Sequence, residues 1–223
     1  MIVIILAGGK AKRWKNYMGI ENKYLVEIDG EPVYLRTIRL LKELGIEKFY
    51  LSSNNEKLKI HPEYHQATYK SGTDLDRFYD TQEIWNNSKE DVLFLYGDVY
   101  YTKQALKIIC ETPAKPKFVT FGRYRNKKYP GEKANEIFAL KIKDKKLFKQ
   151  SLAKAEKMFK EGKIKAAQGW QVHRLMLNIQ PTRGGKPNLR NFVSIEDITT
   201  DFDKGKDYKI WMEQTQGLRD KYE

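Results

Sequence analysis

The sequence predicts an α/β fold with a mainly parallel sheet flanked by helices. Three observations carry this: apolar runs that fit buried strands, amphipathic segments between them, and Pro and Gly placed where those helices begin and end. The runs are Ile2 to Leu6, Lys48 to Ser52, Val92 to Tyr96 and Phe118 to Phe121. Apolar residues that fill both faces of a strand fit a sheet covered on both sides. After the first strand, Pro32 opens a helix on which Val33, Leu35, Ile38, Leu41 and Leu44 share a face, and Gly45 closes it. Thr73 is predicted to cap a segment with Leu75, Phe78, Tyr79 and Trp85 in a stripe, and Thr102 to cap another around Ala105, Leu106 and Ile109.

Beyond Gly122 the alternation stops. A basic loop carrying Arg123, Arg125, Lys127 and Lys128 precedes a strand from Ile137 to Ile142 and an amphipathic helix over Lys145 to Lys160. A Gly/Pro/basic loop, Pro181 to Pro187, leads to a short strand at Phe192 to Ile195 and a last helix from Lys206. At 223 residues the chain fits one domain, with residues 1–122 and 123–223 as its two halves.

Composition narrows the function classes. Apolar residues make up 40% and charged residues 32%, which is enough to line a core and argues against wholesale disorder. The lone Cys110 excludes an internal disulfide and a Cys-rich zinc module, and suits a reducing, cytoplasmic setting. On its apolar stripe it reads as core rather than nucleophile. No run reaches the roughly 20 apolar residues of a membrane span. The net charge of +13 favours anionic partners. Ten Arg against 32 Lys spread along the chain reads as a solvated surface rather than a nucleic-acid interface.

The chemistry concentrates in Ile5-Leu6-Ala7-Gly8-Gly9-Lys10-Ala11-Lys12-Arg13, where a strand ends in paired glycines and then cations. Glycines admit a ligand close to the backbone, and the exposed N–H groups of such a turn line an anion cradle. The spacing is neither that of a Walker loop nor that of a dinucleotide fingerprint. Asn22-Lys23-Tyr24-Leu25 and Gly30-Glu31-Pro32 follow, then a helix.

With Leu6, Ala7, Gly8, Gly9, Arg13, Lys23, Leu25, Gly30 and Pro32 in place, this stretch resembles the sugar-phosphate and molybdopterin-type nucleotidyltransferase family. That family has a Rossmann-like, glycosyltransferase-A-like fold. Asn22 stands where the family has Pro, and Ala11 where it has a second glycine. Two further patches match: Gly97-Asp98 after the third strand, and Asp201-Phe202-Asp203 near the end.

The resemblance implies transfer of a nucleoside monophosphate from an NTP to a phosphorylated acceptor such as a sugar phosphate or phosphocholine, with release of pyrophosphate. It implies Mg²⁺ held by Asp98 and Asp203, with Asp201 as the alternative second ligand, and Arg13 and Lys23 as the catalytic cations. Leu6, Ala7, Gly8, Gly9 and Lys10, with Gly72 and Thr73, are then the nucleotide-binding residues. The basic loop, Trp170 and the run Arg183 to Lys186 lie where such enzymes build the acceptor pocket. Two rivals remain: a glycosyltransferase of the same general fold, against which Asp98-Val99-Tyr100 is not D-x-D, and a non-catalytic nucleic-acid binder motivated by the charge.

Overall fold

A computed structural model describes residues 1–9, 11, 13–70, 73–124, 135–181 and 190–222. In chain order the strands and helices are β1 (Ile2–Leu6), β2 (Glu27–Ile28), β3 (Glu31–Pro32), α1 (Val33–Glu43), β4 (Phe49–Ser53) and β5 (Tyr64–Gln66). Next come α2 (Asp76–Tyr79), α3 (Gln82–Trp85), β6 (Val92–Tyr96), β7 (Val99–Tyr100), α4 (Lys103–Glu111) and β8 (Phe118–Arg123). The chain ends through β9 (Glu136–Ile142), α5 (Lys145–Lys160), α6 (Gly169–Met176), β10 (Phe192–Ser194), β11 (Thr200–Asp201) and α7 (Gly205–Thr215).

Among the described residues the main sheet has seven strands in the order β10-β8-β9-β6-β1-β4-β5. All its pairings are parallel except those of β9, which runs antiparallel to both β6 and β8. The predicted α/β class with a mainly parallel sheet is therefore what forms. The simple succession of four strands is not: β9 comes from the chain beyond β8 and inserts between β6 and β8.

Strand β1 shows how the sequence makes the layers. Its period of two sends Val3, Ile5 and Ala7 into one core with Ile38 and Leu41 of α1 and Leu106 of α4. Ile2, Ile4 and Leu6 face a second core with Phe78, Trp85, Phe148, Leu152 and Val172 from α2, α3, α5 and α6. Each such Ile, Leu or Phe contributes roughly 1.5–3 kcal/mol on burial, and together they fix β1 inside the sheet between β6 and β4.

Three local expectations are corrected. Arg123 belongs to β8 rather than to a basic loop, and its buried guanidinium donates to the carbonyls of Asp197 and, at 2.7 Å, Thr199. That strand continues past Phe121 because Gly122 sits at a register shift where a Cβ would meet the Glu136 carbonyl oxygen at 2.1 Å. The stripe from Leu75 to Trp85 is two short helices rather than one: Thr81 donates its hydroxyl to the Phe78 carbonyl at 3.1 Å at the break and accepts from Trp85 Nε1. Thr73 accepts from the Leu75 amide at 3.3 Å, two residues on, instead of capping a long helix.

A third apolar cluster matters most for the site. Trp14, Val26, Ile28, Val33, Tyr100, Ile198, Phe202 and Trp211 pack together, so the segment after β1, the β2–β3 hairpin and the chain around α7 share one small core.

Candidate active site

In an open parallel sheet the carboxyl ends of the strands form the ligand rim. Strands β1 and β6 are paired neighbours, Leu6 opposite Tyr96, so Gly8-Gly9 and Gly97-Asp98 leave the sheet side by side. Their approach is close: a Cβ on Gly97 would stand 2.9 Å from the Ala7 Cα. Gly9 adopts φ +118°, a conformation open to glycine, and its amide donates to Asn54 Oδ1 at 3.2 Å. Gly8 is needed for another reason. A Cβ there would lie 2.3 Å from the Tyr69 hydroxyl, which rests on the glycine backbone.

Asp203 arrives from the far end of the chain. It follows β11, which pairs antiparallel with β7 just beyond Asp98, so the two acids are brought together through Val99 and Asp201. Lys23 lies in a single turn of 3-10 helix, Lys23–Leu25, and bridges them: its Nζ is 2.5 Å from Asp98 Oδ2 and 3.3 Å from Asp203 Oδ1. Arg13 Nη1 lies 2.5 Å from Asp203 Oδ2. Asn22 holds φ −135°, far from the roughly −65° of a proline, so this turn is entered differently from a Pro-Lys sequence.

The charges are strongly coupled. Burial works against the Lys23 ammonium, but Asp98, Asp201 and Asp203 outweigh it and hold its pKa above the ordinary lysine value. Burial likewise opposes ionisation of Asp98, and Lys23 beside it wins, keeping the carboxyl below its usual range. At Asp201 burial comes first, then repulsion from Asp203, and together they outweigh the attraction of Lys23 and Arg13 and push it up to about 7. Burial and the charges of Asp201 and Asp203 push Glu136, at the start of β9, up to about 9.

A cavity of about 310 Å³ opens beside this cluster, lined by Gly8, Gly9, Arg13, Lys23, Tyr69, Thr73, Arg77 and Asp98 among others. The structure thus gathers Gly8, Gly9, Arg13, Lys23, Thr73, Asp98 and Asp203, while Leu6 and Ala7 are buried beneath them. Lys10 and Gly72 lie outside the described residues. So do 125–134 and 182–189, which include most of the residues expected to form an acceptor pocket. Trp170 is described, and stacks on Phe192 at 5.7 Å and on Tyr124 at 6.0 Å between ring centroids. Cys110 is away from the site, its thiol pushed up to about 11 by burial.

Sequence reasoning passed over Arg77 and Glu136 as site residues. Arg77 was hidden in the apolar stripe of α2, though it stands four residues after Thr73. Tyr69 opens the stretch Tyr69-Lys70-Ser71-Gly72-Thr73, which by its resemblance to the family's nucleobase-reading loop is expected near the base, with no separate role for the Tyr69 hydroxyl.

The donor set fits a small hard cation. Asp98 and Asp203 place oxygens around one ammonium, so the gap between them already accommodates a positive charge, and Mg²⁺ takes one or two carboxylates plus substrate phosphates. Among the described residues no group of three or more metal-type side chains gathers to form a full protein cage.

A glycine turn with cations and paired acids on the rim of an open α/β sheet defines a nucleotide-handling domain. The chain belongs to the MobA-like NTP transferase domain family, whose model matches residues 3–157. No curated protein sequence matches it. Solved structures share the fold over nearly the whole chain. The inositol-1-phosphate CTP transferase from T. maritima is 14% identical with a TM-score of 0.60, covering 97% of this chain and 96% of its own. A Bacillus anthracis protein described as a glucose-1-phosphate thymidylyltransferase is 12% identical with a TM-score of 0.62, covering 99% and 96%. The CTP:phosphocholine cytidylyltransferase from Streptococcus pneumoniae is 14% identical with a TM-score of 0.58, covering 96% and 97%. No helix among the described residues is long and apolar enough to cross a membrane.

Proposed function

We propose that this nucleotidyltransferase moves a nucleoside monophosphate from an NTP to a phosphorylated small-molecule acceptor and releases pyrophosphate. The observation that carries the reading is the Lys23 ammonium set between Asp98 and Asp203, with Arg13 on Asp203, at the mouth of the cavity under Gly8-Gly9. The family supports the NTP as donor. The three structural neighbours, by their names, take inositol-1-phosphate, glucose-1-phosphate and phosphocholine, so a phosphate on the acceptor is their common feature.

Asp98 and Asp203 would hold the Mg²⁺, which when bound offsets charge on the α-phosphate. Asp203 is favoured over Asp201 because it already contacts both cations. Lys23 then exchanges its carboxylate partners for phosphate oxygens. With Arg13 it neutralises the charge that grows on the departing pyrophosphate. Gly8 and Gly9 let the phosphate chain lie against the backbone. The acceptor phosphate is already anionic, so alignment with the α-phosphate replaces a general base. The +13 net charge draws both substrates in.

The experiment is a pyrophosphate assay of the four NTPs with Mg²⁺ against sugar 1-phosphates, inositol phosphate and phosphocholine. At least one pair is expected to give release that EDTA abolishes. NTP binding without turnover across the panel, or release indifferent to EDTA, speaks against the reading.

A further inference from the structure

Arg77 reaches the cavity from α2, where its neighbours Leu75 and Phe78 are fully buried and fix the turn that carries it. Its guanidinium lies over the ring of Tyr96, 5.2 Å from the centroid, and Tyr96 is the last residue of β6, two before Asp98. The head group is therefore held by packing on the strand that delivers an active-site acid. Its hydrogen bonding is poor by comparison. Nη2 donates to Asp74 Oδ1 at 3.3 Å, a long, single-pronged contact with a carboxylate that is 47% exposed. Nε is buried and has no hydrogen-bond partner among the described residues.

A buried charged donor left unsatisfied is costly, so a native structure that keeps one calls for a reason. A second orphan faces the same space: the buried Tyr69 hydroxyl, resting on Gly8, has no hydrogen-bond partner among the described residues either. The other cations of the cavity are differently placed. Lys23 is engaged by Asp98 and Asp203, and Arg13 by Asp203.

We propose that Arg77 is a phosphate-binding residue of this cavity, offering Nε and an Nη together to two oxygens of one phosphate in competition with Asp74. Guanidinium is the side chain suited to this, because its planar fork matches phosphate oxygens two at a time. The inference rests on the nucleotide reading given above. The phosphate has two possible sources, the tail of the NTP or the phosphorylated acceptor, and the test separates them.

Calorimetric titration of the full chain with inorganic tripolyphosphate, and separately with glycerol 1-phosphate, is performed on wild type, Arg77→Gln, Arg77→Lys and Asp74→Asn. Arg77→Gln is expected to weaken one of the two ligands at least about tenfold, and Arg77→Lys less, since lysine keeps the charge without the fork. Asp74→Asn is expected to tighten the same ligand roughly two- to fivefold, as removal of a partly exposed ion-pair partner would. Loss confined to tripolyphosphate assigns Arg77 to the nucleotide, and loss confined to glycerol 1-phosphate assigns it to the acceptor.

Wild type that binds neither ligand overturns the nucleotide reading and this inference together. Wild type that binds while Arg77→Gln and Asp74→Asn leave both affinities unchanged overturns the role of Arg77 alone. Should Arg77→Gln fail to fold, Asp74→Asn decides, because it keeps the guanidinium: absence of tightening then overturns the inference.

Discussion

Gly205 opens α7 with the ring of Tyr17 where a Cβ would stand; an added methyl would lie 2.0 Å from the Tyr17 Cγ. Two residues before it is Asp203, and four before Tyr17 is Arg13, so this contact holds the Arg13–Asp203 pair together from both sides. Trp14 stiffens the loop further, donating its Nε1–H to the Ile20 carbonyl at 2.9 Å. Gly205→Ala is therefore expected to cost about 1–3 kcal/mol in urea unfolding, as overpacking does, and to lower kcat/KM. Tyr17→Ala in the same background is expected to recover most of the stability, because it removes the atoms in collision. Equal losses with and without Tyr17 would show that the contact is not the cause. The motif residues Gly8, Gly9, Arg13, Lys23, Asp98 and Asp203 were legible because short patterns carry them. That Tyr17 meets Gly205, or that Tyr69 rests on Gly8, was not, because nothing local to either partner encodes the other. Arg77 illustrates a different loss: it stands among the apolar residues of the Leu75 to Trp85 stripe, and only the structure shows its guanidinium over the ring of Tyr96, beside the strand end that carries Asp98.

At the scale of elements, α4 shows one hydroxyl doing two jobs. Thr102 Oγ1 accepts from the Ala105 amide at 2.9 Å, the helix cap the sequence predicts, and also donates to the buried Asp197 Oδ2 at 2.5 Å. Asp197 in turn accepts from the Thr199 amide at 2.7 Å, fixing the chain that leads into β11 and Asp203. Thr102→Ala removes the cap and leaves a buried carboxylate short of a donor, so thermal unfolding should register a loss of about 1–3 kcal/mol. Thr102→Ser, which keeps the hydroxyl, should lose little; an equal drop for both would deny the cap its role. Helices α4 and α5 and strands β1 and β6 were readable from periodicity and their flanking residues. Strand β9 was readable as a strand but not as an antiparallel insertion, since its pairing with β6 and β8 depends on the long connection before it. Strand β5, Tyr64–Gln66, escaped because it is a three-residue edge strand without an apolar run.

For the whole molecule, the three apolar clusters divide the work. Two lie on the faces of the sheet and hold β1 and β6 in register; the third ties the segment after β1 to the chain around α7. The candidate site stands where they meet, which is why residues 8, 23, 98 and 203 share a rim although the chain between them is long. Class and layering followed from alternation of apolar runs with amphipathic helices. The closing of the site did not, because it depends on a two-residue pairing, β7 with β11, too short to leave a pattern. The central claim is that Asp98 and Asp203 act together on one metal-bound triphosphate. The most direct measurement is Mg²⁺-dependent pyrophosphate release by Asp98→Asn and Asp203→Asn, each checked for native circular dichroism. The account predicts that both fall at least about a hundredfold below wild type, as loss of a group that stabilises transition-state charge does. Undiminished release by either folded variant would contradict it.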